Sequence, residues 1–155
     1  MPSTCTWGQG WELGQGGHEH TRHLSPTKVT GGLLDGVVVV QVAAGSCDYS
    51  MALTAAGDLY TWGDGVYGRL GHGDKEDQAL PRVVAGIGGV MGMAGGGSHS
   101  LVTTREGRAL GFGNNGNDQL GLGAEAEDRV LTPVAIGDIR VLGNGDDGEG
   151  KEGKE

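Results

Sequence analysis

The first segment of this sequence that could carry chemistry is rich in glycine. Residues 63–68, Gly-Asp-Gly-Val-Tyr-Gly, match the G-x-G-x-x-G pattern and follow a strand-like run, as in dinucleotide-binding enzymes. Those enzymes need a helix after the third glycine, because its N-terminus binds the pyrophosphate. Gly71 and Gly73 stand where that helix would start, and the aligned residues 113–118 lack the pattern. A nucleotide-dependent enzyme is therefore the less favoured of the two function classes we consider.

A second candidate is a group of three imidazoles within six residues, His18, His20 and His23. Neutral imidazole binds zinc and copper, and alternate residues of a strand share one face. No cysteine or carboxylate set at metal-ligand spacing completes a site, and Arg22 adds positive charge beside the histidines. We interpret the segment as a solvated loop, and we predict no metal and no other cofactor.

Two adjacent residue pairs, Tyr49–Ser50 and His99–Ser100, suggest a nucleophile beside a base. Neighbours in a strand point to opposite faces, so the two members of a pair cannot meet directly. We expect such a serine to hydrogen-bond within its own sheet and His99 to satisfy a buried backbone group. The sequence therefore predicts no catalytic residue.

The composition limits the partners that the chain can bind. Its 155 residues carry a formal net charge of −9 with only 11 Lys and Arg, so we expect no nucleic-acid binding by the chain itself. The longest apolar run, near residues 37–44, is too short to span a membrane, and no secretory signal is visible. Cys5 and Cys47 are too few for a disulfide scaffold and indicate free thiols. These features predict a soluble protein of the cytoplasm or nucleus.

The elements that position these residues recur with a period of about fifty residues. The chain contains 34 glycines, a content that would indicate a disordered chain if the glycines did not recur at a regular spacing. Placing residues 44–73 over 94–123 without a gap gives nine identities, against about three by chance. Trp7-Gly8 and Leu13-Gly14-Gln15-Gly16 form part of a third, upstream copy. The repeated positions are Trp7, Gly45, Gly57, Trp62, Gly63, Leu70, Gly71, Gly73, Gly95, Gly107, Phe112, Gly113, Leu120, Gly121 and Gly123.

Within each unit the local pattern favours short strands. Residues 49–54 and 59–62 are strand-length runs on either side of a turn at 55–58, and residues 100–104 and 109–112 flank the turn at 105–108. Gly57 and Gly107 suit the positive φ of tight turns. No window sustains a helical stripe without an interrupting glycine. Three or four strands per fifty residues are typical of a propeller blade, with Trp62, Phe112, Leu70 and Leu120 packing adjacent blades together.

The segments 59–64, 68–73, 81–83 and 94–101 together resemble the repeat of the regulator of chromosome condensation family. The resemblance covers residues 5–142 and implies four-stranded blades, seven of them in complete members. The sequence departs from the family pattern at Tyr49, Arg69 and Asp118, where the family usually has histidine, glutamine and glycine. None of these departures breaks the blade pattern.

We therefore predict an all-β fold, a partial β-propeller of four-stranded antiparallel blades that forms an open arc rather than a closed ring. The repeats occupy residues 1–142, with units near 5–36, 37–86 and 87–137 and the start of another at 138–142. Residues 143–155 are acidic, rich in glycine and without apolar side chains, so we predict a disordered tail.

The function predicted from these features is a non-catalytic scaffold for protein–protein interaction, whose loops set its specificity. The candidate partner-contact residues are Trp11, Tyr67, Asp74, Lys75, Glu76 and Asp77. The resemblance also implies two narrower alternatives: part of a guanine nucleotide exchange factor for a small GTPase, or part of a substrate-docking propeller of a ubiquitin ligase. Open blade edges further predict self-association.

Overall fold

The computed structural model of the chain describes residues 5–9, 13, 22–29, 34, 36–123 and 125–140; for residues 5–9, 22–24, 26 and 138–140 it describes the backbone alone. In these ranges the chain forms ten β-strands and the 3-10 helix Val66–Gly68. The strands are β1 (Cys5–Gln9), β2 (Arg22–Lys28), β3 (Val39–Gly45), β4 (Tyr49–Thr54), β5 (Leu59–Gly63), β6 (Gln78–Val83), β7 (Val90–Gly95), β8 (His99–Thr104), β9 (Arg108–Asn114) and β10 (Arg129–Arg140). None of the described helices could cross a membrane.

The strands form three sheets in chain order. β1 and β2 make a two-stranded half-blade, β3 to β6 make the first blade, and β7 to β10 make the second blade. Every neighbouring pair is antiparallel. The all-β partial propeller predicted from the sequence is confirmed, with two four-stranded blades side by side.

The tight turns occur where glycine permits them. Gly57 has φ +90° in the β4–β5 turn and Gly107 has φ +73° in the β8–β9 turn. In both turns the glycine N–H donates to a threonine carbonyl three residues earlier, Thr54 or Thr104, at 3.0 Å. Because a side chain at positive φ is strained, this geometry requires the repeated glycine.

The main core lies between the two blades. Tyr49, Met51, Leu53 and Leu59 of the first blade face Val90, Val102, Leu110 and Phe112 of the second, with Leu70 in the same cluster. Burying side chains of this size stabilises the interface by about 1.5–3 kcal/mol each, relative to exposure. Adjacent blades therefore support one another.

Trp62 belongs to a different cluster, on the other side of the first blade. It packs with Leu34, Ala52 and Tyr60, and it is almost fully buried. The repeated aromatic thus faces the preceding unit in each blade, since Phe112 faces the first blade.

Some predicted features fall outside the described residues. Trp7 lies in β1, but its side chain is not described, and Trp11, His18, His20 and the segment 141–155 are not described at all. Residues 138–140, where the sequence predicts a further unit to start, are the end of β10.

Candidate functional site

Four loops gather at one end of the two blades. Consecutive strands run in opposite directions, so residues 46–48, 64–77, 96–98, 115–123 and 125–128 share an end that we call the loop end. The loops touch across the blade boundary, where Ser46 N–H donates to the Gly96 carbonyl at 3.2 Å. Residues 55–58, 84–89 and 105–107 lie at the opposite end.

The loop end is strongly acidic. Its described residues include nine carboxylates and two basic side chains, Arg69 and Lys75, of which Arg69 is buried. The opposite end has two carboxylates, Asp58 and Glu106, and one arginine, Arg105. All of these carboxylates except Asp64 and Asp74 are exposed. The nine are Asp48, Asp64, Asp74, Glu76, Asp77, Asp118, Glu125, Glu127 and Asp128.

Hydrogen bonds fix the shape of the loop that holds most of the predicted contact residues. Asp77 accepts from the Gly65 N–H at 2.9 Å, and Asp74 accepts from the Glu76 N–H at 3.1 Å. Asp74 also lies 3.6 Å from the Arg82 guanidinium. Lys75 and Glu76 are exposed at the tip. The structure therefore brings Asp74, Lys75, Glu76 and Asp77 together in one preformed loop.

Tyr67, the predicted aromatic contact, is half-buried between two arginines. Its ring centroid lies 5.9 Å from the Arg69 guanidinium and 5.4 Å from that of Arg129 in the second blade. Its φ of +66° is uncommon for a side chain of this size, and a guanidinium within about 6 Å of a ring centroid is attracted to the ring. Tyr67 thus joins the two blades and retains partial exposure.

A buried polar cluster also links the blades at this end. The Tyr49 hydroxyl donates to the His99 carbonyl at 2.6 Å, and the Ser100 hydroxyl lies 2.9 Å from the Arg69 carbonyl and 3.2 Å from Tyr49 Oη. Arg69 donates to the carbonyls of Cys47 and Val66, at 2.6 and 2.8 Å, and lies 3.6 Å from Asp64. The expectation that Ser100 bonds within its own sheet is wrong, because its partners belong to the first blade.

This cluster holds the blades together and is closed to substrates. Tyr49 is 1% exposed and Ser100 is 0% exposed. Burial raises the pKa of Tyr49, opposed by the Ser100 hydrogen bond and the Arg69 charge. A hydroxyl that is desolvated, protonated and hydrogen-bonded is a poor nucleophile. Tyr49 and Ser100 meet although they lie 51 residues apart, a contact that the sequence comparison did not predict.

The G-x-G-x-x-G segment does not open an α-helix. Val66–Gly68 form one turn of 3-10 helix, and Gly71 N–H then donates to the Gly68 carbonyl at 3.0 Å. The Glu76 carbonyl lies against Gly65, so the loop packs on itself where a phosphate would have to enter. Among the described residues no group of three His, Cys, Asp or Glu is placed to hold a metal ion.

Comparison with known proteins matches these blades to a family. The regulator of chromosome condensation (RCC1) repeat model matches residues 56–103, and a second model of the same repeat matches residues 39–69. These matches span the first blade and the start of the second. The chain belongs to the RCC1-repeat family.

Relatives and solved structures agree with the RCC1 assignment. The chain is 40% identical over 144 residues to the human E3 ubiquitin-protein ligase HERC2, covering 88% of this chain and 3% of that protein. It is 40% identical over 131 residues to the ultraviolet-B receptor UVR8 of Arabidopsis thaliana, covering 82% of this chain and 29% of the receptor. The chain therefore spans less than a third of either relative.

Among solved structures, the yeast RCC1 protein Prp20 bound to Kap60 aligns with a TM-score of 0.73 and 25% identity, over 85% of this chain and 32% of Prp20. Human WBSCR16 aligns with a TM-score of 0.69 and 32% identity, over 84% of this chain and 32% of that protein. Each alignment thus covers more than four fifths of this chain and about a third of the solved protein.

Two residues of this buried cluster, Tyr49 and Arg69, are departures from the RCC1 pattern. Tyr49 replaces the usual histidine and Arg69 the usual glutamine, and the structure stacks the Arg69 guanidinium 5.9 Å from the Tyr49 ring centroid. Two departures in one unit were a signal that these side chains act together.

Proposed function

We propose that the chain is a non-catalytic scaffold that binds a basic protein segment through its loop end. The charge difference between the two ends of the blades carries this proposal. Nine carboxylates lie at the loop end and two at the opposite end. Clustered charge of one sign steers a partner of opposite charge and fixes its orientation. We place this activity in the cytoplasm or nucleus, and we assign it no cofactor.

The rigidity of the loop end supports the same proposal. Aspartate–backbone hydrogen bonds hold residues 64–77, and the Tyr49–Ser100–Arg69 cluster fixes the boundary between the blades. A surface that is already ordered loses less conformational entropy on binding. Glu76 and Asp77, both exposed near the tip, would contact the basic segment first, with Tyr67 beside them.

A solved relative provides a suitable probe. The Prp20 structure was described together with the binding of that protein to Gsp1p and histones. Histones are rich in lysine and arginine, so they match the chemistry that an acidic surface would bind. For this chain we propose a basic protein segment, and core histones are the test ligand.

The experiment compares two variants with the same net charge. Glu76→Gln/Asp77→Asn removes two charges from the loop end, and Asp58→Asn/Glu106→Gln removes two from the opposite end. Each retains side chains that can accept hydrogen bonds. We expect histone binding to weaken several-fold in the loop-end variant and to stay near the original value in the control. Equal weakening of histone binding in both variants would show that binding depends on the net charge of the chain and not on its location. Unchanged binding in both variants would contradict the proposal.

The narrower alternatives place the same loop end in a larger protein. Identity with HERC2 over 88% of the chain favours a substrate-docking role within a ubiquitin ligase, and the fold of Prp20 is compatible with a role in guanine nucleotide exchange on a small GTPase. Titration with a purified small GTPase separates these roles. Saturable binding of the GTPase would favour the exchange-factor alternative, and its weakening by the loop-end substitutions would place the contact at the same loop end.

A further inference from the structure

The face of the second blade that points away from the first blade, which we call the open face, carries a groove. The groove encloses about 550 Å³, and its lining includes Met93, Leu101, Ala109, Asp118 and Ile136. The corresponding face of the first blade is covered by the second blade. That covered face shows what a neighbouring blade requires at each position, so the two faces can be compared residue by residue.

Asp118 is the residue at which the two faces differ most sharply. It occupies the position of Gly68 in the first blade, fifty residues earlier, and both have positive φ, +53° and +79°. The turns match as well, since Gly71 N–H donates to the Gly68 carbonyl and Gly121 N–H donates to the Asp118 carbonyl, each at 3.0 Å. The backbones are thus equivalent, and the difference lies in the side chain.

The covered face leaves no room for a side chain at this position. A Cβ on Gly68 would lie 2.6 Å from Leu131 Cδ2 and 3.0 Å from Leu131 Cα, in β10 of the second blade. The first of these contacts could be relieved by a rotamer change, but the second involves the backbone. A strand placed on Asp118 as β10 is placed on Gly68 would therefore have to shift outward.

Asp118 also accepts a hydrogen bond from the backbone N–H that would otherwise be available to a neighbouring blade. On the covered face Gly73 N–H donates to the Leu131 carbonyl at 2.9 Å. On the open face the equivalent Gly123 N–H donates to Asp118 Oδ1 at 3.1 Å, and Leu122 N–H donates to the same oxygen at 2.9 Å. The aspartate takes the role that the neighbour's carbonyl has on the covered face.

We propose that Asp118 determines the specificity of the open face: it disfavours a further blade with an apolar residue at the Leu131 position, and it favours a protein strand that carries a lysine or arginine there. Self-association through this face would be subject to the same rule. The proposal rests on the role of the chain as an interaction scaffold. Its test needs no partner protein, so a negative result for the Asp118 proposal can be distinguished from a negative result for the proposed scaffold function.

Charge determines the chemistry of the favoured strand. Asp118 is exposed, and the described residues provide it with no salt bridge. Glu125, Glu127 and Asp128 lie in the same loop and add negative charge. A basic side chain is long enough to bridge the wider gap that the aspartate imposes. On the covered face Arg129, two residues before Leu131, already reaches the equivalent loop and stacks on Tyr67 at 5.4 Å.

The covered face allows this rule to be tested within one molecule. Gly68→Asp transfers the aspartate to the first blade, and Leu131→Arg supplies the basic residue opposite it. Gly68→Asn is the matched control, because asparagine also tolerates positive φ and has the same shape without the charge. Four variants are compared by urea unfolding: Gly68→Asp and Gly68→Asn, each with Leu131 retained or changed to arginine.

We expect Gly68→Asp alone to lower the urea midpoint below that of the original protein. Leu131→Arg should raise the midpoint of the aspartate variant relative to the asparagine variant, and about 0.5 M NaCl should reduce that gain. If Gly68→Asp alone does not fold, the salt-dependent difference between the two double variants still decides. The proposal would be overturned if Gly68→Asp left the urea midpoint unchanged. It would also be overturned if Leu131→Arg changed the midpoints of the aspartate and asparagine variants by the same amount.

Discussion

At the scale of single residues, Tyr49 shows how one hydroxyl joins two blades. Its ring belongs to the apolar core between the blades, and its Oη donates to the His99 carbonyl at 2.6 Å. Tyr49→Phe retains the ring but leaves that carbonyl and Ser100 without this partner. We expect the free energy of unfolding to fall by about 1–2 kcal/mol, since a buried polar group loses its hydrogen bond.

The control for this change is Tyr67→Phe. Tyr67 is half-buried, and its described contacts are made by the ring face with Arg69 and Arg129. We expect a loss below about 0.5 kcal/mol, as for other substitutions outside the core. Chemical denaturation of both variants measures the difference. Equal losses would mean that the Tyr49 hydroxyl contributes nothing particular to the boundary between the blades.

We expect His72 to make the stability of the protein depend on pH. Thr61 Oγ1 donates to the Leu70 carbonyl at 2.7 Å, so the imidazole Nε2–H must donate to Thr61 over 3.0 Å. Burial lowers the pKa of His72 from its usual 6.5, and the Arg82 charge adds to this. Protonation is therefore easier in the unfolded chain. The contribution of His72 to stability is complete above about pH 6.5 and falls as the pH drops from there through the folded-state pKa.

His72→Gln tests this pH dependence, because glutamine can still donate to Thr61 but does not titrate. We expect the stability of the original protein to decline more steeply than that of the variant between about pH 6.5 and pH 5. Thermal melts across this range measure both slopes. Parallel slopes would show that His72 does not contribute to the acid sensitivity of the protein.

At the scale of elements, the contact of Gly71 with Phe112 holds the 64–77 loop against the second blade. A Cβ on Gly71 would lie 2.9 Å from two ring carbons of Phe112, whereas a Cβ on Gly121 has no described neighbour closer than 3.9 Å. Both glycines have positive φ, +76° and +64°. The backbone strain of an alanine is thus similar at the two positions, and only the packing differs.

We therefore expect Gly71→Ala to destabilise the protein by about 1–3 kcal/mol more than Gly121→Ala. Thermal or chemical unfolding of the two variants gives this difference directly. A larger loss for Gly121→Ala would mean that the open face is packed more tightly than the face between the blades.

The strands also show how far the sequence predicts this fold. Apolar runs and turn glycines predicted β4, β5, β8 and β9 to within about two residues, because central strands are buried and their hairpins are local. In the outer strands β6 and β10 the features that recur in the sequence are Pro81 and Pro133, each with a valine close behind. Proline lacks the N–H that an inner strand needs, so it is tolerated in these edge strands. An edge strand requires no alternating apolar pattern, and none is present.

The candidate site was predictable only in part, for a related reason. Asp74, Lys75, Glu76 and Asp77 are adjacent in sequence, so their common surface was visible before the fold was known. The contact of Tyr49 with Ser100 depends on the stacking of two repeats, and no local pattern encodes it. The loop end gains its charge only when loops far apart in sequence are brought together at one end of the blades.

At the scale of the whole molecule, the blades separate two tasks. Their facing surfaces are apolar and hold the arc together, while the loops at one end carry nine of the twelve acidic residues in the part of the chain that the structure describes. The proposed scaffold thus binds a basic protein segment at the acidic loop end rather than at the opposite end.

Amide hydrogen exchange with and without core histones tests that claim most directly. We expect bound histones to slow exchange in residues 46–48, 64–77 and 115–128, with residues 55–58, 84–89 and 105–107 unchanged. The protection should disappear at high salt, because exposed charges are screened. Protection confined to residues 55–58, 84–89 and 105–107, or to the strands that line the open face, would contradict the account.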